Sequence, residues 1–127
     1  MQVSRSILII DDEENLRHSL AMILDRAGYS VHSVASAAQA LENIQCHTYD
    51  LIFLDLKIPD MDGLTLLPII HQDHPEIPVL VLTAYGDPEL VKQAMQMGAQ
   101  DYIRKPVDPS LILDRVRRTI PGNNYLY

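Results

Sequence analysis

Three aspartates and a threonine stand at the ends of short apolar runs, a lysine follows a shorter mixed one, and they are the residues best placed to do chemistry. Asp11 and Asp12 follow Ile7-Leu8-Ile9-Ile10, and Asp55 follows Leu51-Ile52-Phe53-Leu54. Thr83 follows Val79-Leu80-Val81-Leu82, and Lys105 follows Asp101-Tyr102-Ile103-Arg104. An apolar run this short, bounded by turn-formers, reads as a strand buried on both faces of a parallel sheet. A carboxylate at the end of such a strand sits where the core opens into a loop, which is where open α/β sheets bind ligands. Brought together, Asp11, Asp12 and Asp55 raise one another's pKa unless a cation joins them. Mg²⁺ is the natural partner, since it takes oxygen ligands and is usually held by one or two carboxylates plus a phosphate. The backbone carbonyl of Lys57, just past Asp55, offers a further oxygen. Lys105 supplies a point positive charge, and Thr83 a hydroxyl able to donate to an anionic oxygen. Together these groups suit phosphoryl transfer to a carboxylate, where positioning and charge neutralisation do most of the work.

The intervening segments must carry these residues to one place. After the first strand, Leu16, Leu20, Ile23, Leu24 and Ala27 recur at helical spacing, and Gly28 stops the helix. Tyr29 to Val34 is more polar and suits an edge strand. Ser36 is placed to cap a helix with Ala37, Ala40, Leu41 and Ile44 on one face. Past Asp55, the loop Lys57-Ile58-Pro59-Asp60-Met61-Asp62-Gly63 contains a proline that excludes a ladder bond and a glycine expected to permit a turn other residues resist. Gly63 to His71 can form the next helix, with Pro68 expected to strain or kink it unless it lies in the first turn. Pro88 opens a helix through Leu90, Val91, Ala94 and Met97 to Gly98, and Pro109 opens a last one with Leu111, Ile112, Val116 and Ile120 inward, ended by Pro121-Gly122. Five strands alternating with five helices require a parallel sheet covered on both faces. The expected fold is therefore α/β, a flavodoxin-like doubly wound sheet in the order 2-1-3-4-5, with the weak second strand at the edge. Residues 1–120 form the domain, and 121–127 read as a C-terminal tail or the start of a linker.

Bulk properties narrow the function. The net charge is −7, which disfavours a nucleic-acid-binding surface, because that needs clustered Lys and Arg. Cys46 is the only cysteine, so no internal disulfide forms, and a reducing, cytoplasmic compartment fits best. The apolar run at Ile7 to Ile10 is too short for a signal-peptide core or a membrane span.

From Ile7 to about Ile120 the chain resembles the receiver (phosphoacceptor) domain of two-component response regulators. The resemblance rests on Asp11-Asp12, the block FLDLKIPDMDG around Asp55, Thr83-Ala84, and Lys105-Pro106 preceded by Tyr102. Each motif alone is weak, whereas all of them in order at the right strand ends are specific. The stretch TAYGDPELVKQAMQMGAQDYIRKP is most like receivers of the nitrogen-regulatory class of transcription activators. The resemblance implies that Asp55 takes a phosphoryl group from a histidine kinase, with Mg²⁺ held by Asp11, Asp12, Asp55 and the Lys57 carbonyl. In the family the second acid of the pair is usually the closer ligand. Lys105 would pair with the phosphoryl oxygens, while Thr83 and Tyr102 carry a conformational switch. The face made by helix 4, strand 5 and helix 5 would then dimerise or dock a partner, controlling an output that is transcriptional in the class resembled. Such a domain is a signalling switch with intrinsic autophosphorylation and autodephosphorylation rather than a metabolic enzyme. Two variable positions depart from the commonest receivers, Lys57 and Tyr85, and both are expected either to shield the acyl phosphate from water or to project into solvent and bear on partner choice.

Other readings fit the residues less well. A phosphatase of the haloacid dehalogenase type needs a second Asp two residues after the nucleophile, where Lys57 stands. A flavodoxin-like electron carrier needs a hydroxyl- and glycine-rich phosphate loop after the first strand, where four acids stand instead. Asp60 and Asp62 read as loop-formers, His71 and His74 as surface histidines without a third metal ligand, and Arg115, Arg117 and Arg118 as a solvated helix face.

Overall fold

The structure is a computed structural model, and it describes residues 4–84 and 88–120. Strands β1 (Ser6–Ile10), β3 (Leu51–Asp55) and β4 (Val79–Thr83) are the apolar runs of the sequence, and every residue in them except Ser6 is buried. They occupy the middle of one parallel sheet, with β2 (Ser30–Val34) and β5 (Asp101–Arg104) at its edges. The order is β2-β1-β3-β4-β5, as the sequence pattern implies. The edge strands carry the polar residues because only one of their sides is paired and each keeps exposed positions.

The period-two alternation of the strands divides the core between the two sheet faces. Ile7, Ile9, Leu51, Phe53, Leu80 and Leu82 face α1 (Glu14–Arg26) and α5 (Pro109–Thr119), meeting Leu20, Leu24, Ile112 and Val116. Leu8, Ile10, Ile52, Leu54, Val79 and Val81 face the other layer, which is α2 (Ala37–Cys46), α3 (Gly63–Asp73) and α4 (Pro88–Gln96). Each fully buried aliphatic side chain contributes about 1.5–3 kcal/mol relative to exposure. Both faces are thus closed by helices, and the loops at the strand ends are left to form a site.

Local details confirm some expectations and correct others. Gly28 ends α1 at φ +100°. Ser36 caps α2, accepting from the Gln39 N–H at 3.2 Å. Gly63 is needed for a different reason from the one expected. It has no left-handed φ; instead a Cβ there would lie 2.5 Å from the Leu56 Cα and 2.7 Å from its carbonyl oxygen. Pro68 lies inside α3, which continues past His71 to Asp73. The helix therefore tolerates a Leu64 carbonyl that receives no helical N–H from position 68.

Packing departs from the pattern at the β5 edge. In α4 only Ala94 is fully buried, and Met97, which spacing places on the inner face of this helix, lies just past its end and is 39% exposed. Arg115 does not belong to a solvated face: it donates to Asp101 Oδ2 at 2.7 Å and to the Tyr102 carbonyl at 3.2 Å, tying α5 to β5. Arg117 and Arg118 are exposed, and Arg118 pairs with Asp114 at 3.2 Å. Among the described residues no helix is long and apolar enough to cross a membrane. Tyr85 and the Pro121-Gly122 helix end lie outside the described residues.

Candidate functional site

Parallel strands with right-handed crossovers place every strand's C-terminal end on one rim. Asp11 directly follows β1, Asp55 ends β3, Thr83 ends β4, and Lys105 directly follows β5. The register aligns Ile10 with Leu54, Asp55 with Leu82 and Thr83 with Arg104, so residues distant in sequence become neighbours. Asp11, Asp55 and Thr83 are the buried polar residues of the described chain, with 0%, 6% and 4% exposure.

Lys105 closes the group. Its Nζ lies 2.9 Å from Asp11 Oδ2, 2.9 Å from Glu13 Oε1 and 3.2 Å from Asp55 Oδ2. Burial works against the ammonium, yet the carboxylates of Asp11, Glu13 and Asp55 hold its pKa above the ordinary lysine value. Burial raises the pKa of Asp11, and the Asp55 charge adds to the rise; the Glu13 N–H, donating to Asp11 Oδ1 at 2.9 Å, and Lys105 oppose it. Asp11 Oδ2 is buried and makes only the ion pair with Lys105, without a well-directed hydrogen bond. The backbone is braced as well, with Arg17 Nη1 donating to the Asp11 carbonyl at 2.7 Å.

These residues fit a hard divalent cation. Asp11, Asp12 and Asp55 each present a carboxylate oxygen, and the three lie within 4.8 Å of one another. Asp12 is exposed, and the poorly satisfied Asp11 Oδ2 is an acceptor that a cation would complete. No second group of three metal-capable side chains occurs among the described residues, so His71 and His74 lack partners for a metal; His74 instead lies 3.6 Å from Glu76. Beside Asp55 a cavity of about 260 Å³ reaches Lys57, Thr83 and Ala84, with room for a tetrahedral oxyanion. Lys57 donates its backbone N–H to Asp55 Oδ1 at 3.0 Å while its side chain is exposed. Tyr102, two residues before Arg104 on β5, is 39% exposed.

Two participants carry no signal in the spacing. Glu13 stands in the acidic run, but its contact with Lys105, 92 positions away, is set by how the loop after β1 meets the loop after β5 across the rim. Asp60 does more than form a loop, since its carboxylate accepts the backbone N–H groups of Ala37 and Ala38. Asp62 caps α3, accepting from the Leu64 N–H at 3.0 Å.

A parallel 2-1-3-4-5 sheet with strand-end carboxylates facing a lysine has the architecture of a receiver domain. Residues 7–117 match the response regulator receiver domain, and the chain belongs to that family of two-component signalling proteins. It is 37% identical over 115 residues to the C4-dicarboxylate transport transcriptional regulatory protein DctD of Pseudomonas aeruginosa, covering 90% of this chain and 25% of that protein. Thus the chain spans about a quarter of the length of that relative. It is 33% identical over 119 residues to sporulation initiation phosphotransferase F of Bacillus subtilis, covering 94% of this chain and 96% of that one. Among solved structures, a CheY-like receiver domain protein from Methanospirillum hungatei has a TM-score of 0.90 at 31% identity, over 95% and 97% of the two chains. The receiver domain of NtrX from Brucella abortus has a TM-score of 0.87 at 33% identity, over 91% and 98%.

Proposed function

We propose that Asp55 accepts a phosphoryl group from a histidine kinase in a Mg²⁺-dependent reaction. The supporting observation is one buried strand-end carboxylate that shares an oxygen cluster with Asp11 and Asp12 and touches Lys105 at 3.2 Å. An Asp55 oxygen forms the new P–O bond as the P–N bond to the donor imidazole breaks, and the imidazole nitrogen keeps the electron pair and takes a proton. Lys105 moves its contact from the carboxylate to the phosphoryl oxygens and holds their charge. Asp11, Asp12, Asp55 and the Lys57 carbonyl would hold Mg²⁺, which supplies charge neutralisation at the transferring group. Hydrolysis of the acyl phosphate then returns the switch to its resting state. The test is incorporation from a small phosphodonor with and without Mg²⁺. Mg²⁺-independent labelling, or none in the intact protein, would refute the reading.

Metal dependence has its own signature in stability. A cation that binds only the folded chain stabilises it by about 2.7 kcal/mol at a hundred times its dissociation constant. Asp12→Ala should lose most of that gain in a thermal or urea titration, and lose more than a change at Asp60 or Asp62. Equal losses at all three would show that the loop acids are the ligands.

The output side of the reading is conformational. A phosphoryl group on Asp55 brings anionic oxygens that the Thr83 hydroxyl reaches by moving inward, which frees room for Tyr102 to turn. Met95, Met97 and Tyr102 already expose apolar surface on the face of α4, β5 and α5, where dimerisation or partner docking would follow. A stable phosphoryl mimic should therefore shift amide resonances across that face, and unchanged shifts would exclude the coupling. Residues 1–120 would form the receiver unit, with 121–127 as a tail or linker. Transcriptional output through a further domain follows the likeness to DctD, and no direct nucleic-acid contact is assigned to this acidic domain. The near full-length match to sporulation initiation phosphotransferase F favours a second reading, a single-domain phosphotransfer protein. The complete reading frame separates the two.

A further inference from the structure

The tip of the loop between β3 and α3 is pinned to a helix that contributes nothing to the site. Asp60 Oδ1 accepts the Ala37 N–H at 2.9 Å, and Asp60 Oδ2 accepts the Ala38 N–H at 3.0 Å. The first four N–H groups of a helix have no partner within it. In α2 the Ser36 hydroxyl satisfies the one at Gln39, at 3.2 Å. Asp60, more than twenty positions away, satisfies those at Ala37 and Ala38. These N–H groups favour its anion and hold its pKa below the ordinary carboxylate value, so the strap is charged and in place at neutral pH.

The same loop carries one side of the cation site at its base. Lys57 pairs with Asp62 in an antiparallel bridge, and the Gly63 N–H donates to the Leu56 carbonyl at 3.0 Å. Asp55 is tied to this base through the Lys57 N–H at 3.0 Å. The base is thus closed by backbone bonds, while among the described contacts of the tip only Asp60 reaches α2 through hydrogen bonds. Ile58 is buried in the core and Met61 packs against it, so loss of the Asp60 bonds would loosen the tip and the adjoining Lys57 carbonyl without detaching the loop.

We propose that Asp60 is a positioning residue: it straps the loop between β3 and α3 to α2, holds the Asp55–Lys57 side of the site in its metal-binding geometry, and couples Mg²⁺ occupancy to order at the start of α2. The inference rests on the Mg²⁺ site proposed above. Coupling between sites is reciprocal. If the strap favours the metal-binding loop, bound Mg²⁺ must in turn tighten the strap, and the Ala37 and Ala38 amides are its reporters.

The experiment is amide hydrogen exchange by NMR with and without Mg²⁺, combined with calorimetric titration of Mg²⁺, on the intact protein and on Asp60→Ala and Asp60→Asn. In the intact protein Mg²⁺ should slow exchange at Ala37 and Ala38. In Asp60→Ala those amides should exchange fast whether or not Mg²⁺ is present, and Mg²⁺ affinity should fall about fivefold, the lower end of coupling between sites. Asp60→Asn keeps one acceptor oxygen and should fall between. A simple helix cap would lower the stability of Asp60→Ala yet leave Mg²⁺ affinity unchanged and exchange at Ala37 and Ala38 indifferent to Mg²⁺; that result overturns the proposal alone. Absence of Mg²⁺ binding by the intact protein overturns the metal site and the strap together.

Discussion

Asp55→Asn is expected to abolish the acid-labile, hydroxylamine-sensitive phosphoryl label altogether. The amide keeps the shape of the carboxylate but has no anionic oxygen to attack phosphorus, and no other described carboxylate combines a buried strand end with Asp11, Asp12 and Lys105 as neighbours. Unfolding cannot account for the loss. Asp55 adds to the repulsion that raises the pKa of Asp11, so removing its charge relieves crowding in the metal-free protein. Lys105 retains Asp11 and Glu13, each at 2.9 Å. The variant should therefore melt at or above the temperature of the intact protein without Mg²⁺ while taking up no phosphate from a small phosphodonor. Undiminished labelling would move the phosphoacceptor to another residue.

Lys105→Met should produce the largest change in stability. It leaves Asp11, fully buried, without its ion-pair partner, and it leaves Asp55 as a second anion beside it. Removing one partner of a buried pair costs about 3–5 kcal/mol, and about 3 is expected here because Glu13 is exposed on the open side of the group. The pH dependence fixes the cause. Asp11 has a folded pKa raised above its unfolded value, so the stability linked to its protonation is fully present below about pH 4 and is lost as pH rises through the folded pKa. Without Lys105 that rise grows, and the deficit should be largest at neutral pH and shrink on acidification. Lys105 has the same sign: its contribution is present below about pH 10.4 and is lost as pH rises through its raised folded value. Urea denaturation of both proteins at neutral and mildly acidic pH measures the difference. A deficit under about 0.5 kcal/mol that ignores pH would mean that Asp11 does not depend on this lysine.

Strand identity, order and the rim residues were legible in the sequence for a plain reason. Strands buried on both faces must be apolar throughout, so β1, β3 and β4 appear as uninterrupted runs and the polar residue ending each run marks the rim. Crossover handedness then brings Asp11, Asp55, Thr83 and Lys105 together without any coordinates. What the sequence could not contain were contacts whose partners have no periodic relation. The pairing of Lys105 with Glu13 and the reach of Asp60 to α2 depend on how two loops meet in space. Tertiary packing also set the burial of each helix. Periodicity places Met97 inward, but α4 lies at the edge of its layer and buries little beyond Ala94, so apolar side chains remain on the surface. Gly63 shows the same division: composition marked a residue without a side chain, and only the approach of the Leu56 backbone to 2.5 Å of its missing Cβ shows why none can be there. Local patterns report what a segment needs along its own length, whereas distances between segments are decided by the packing of all of them at once.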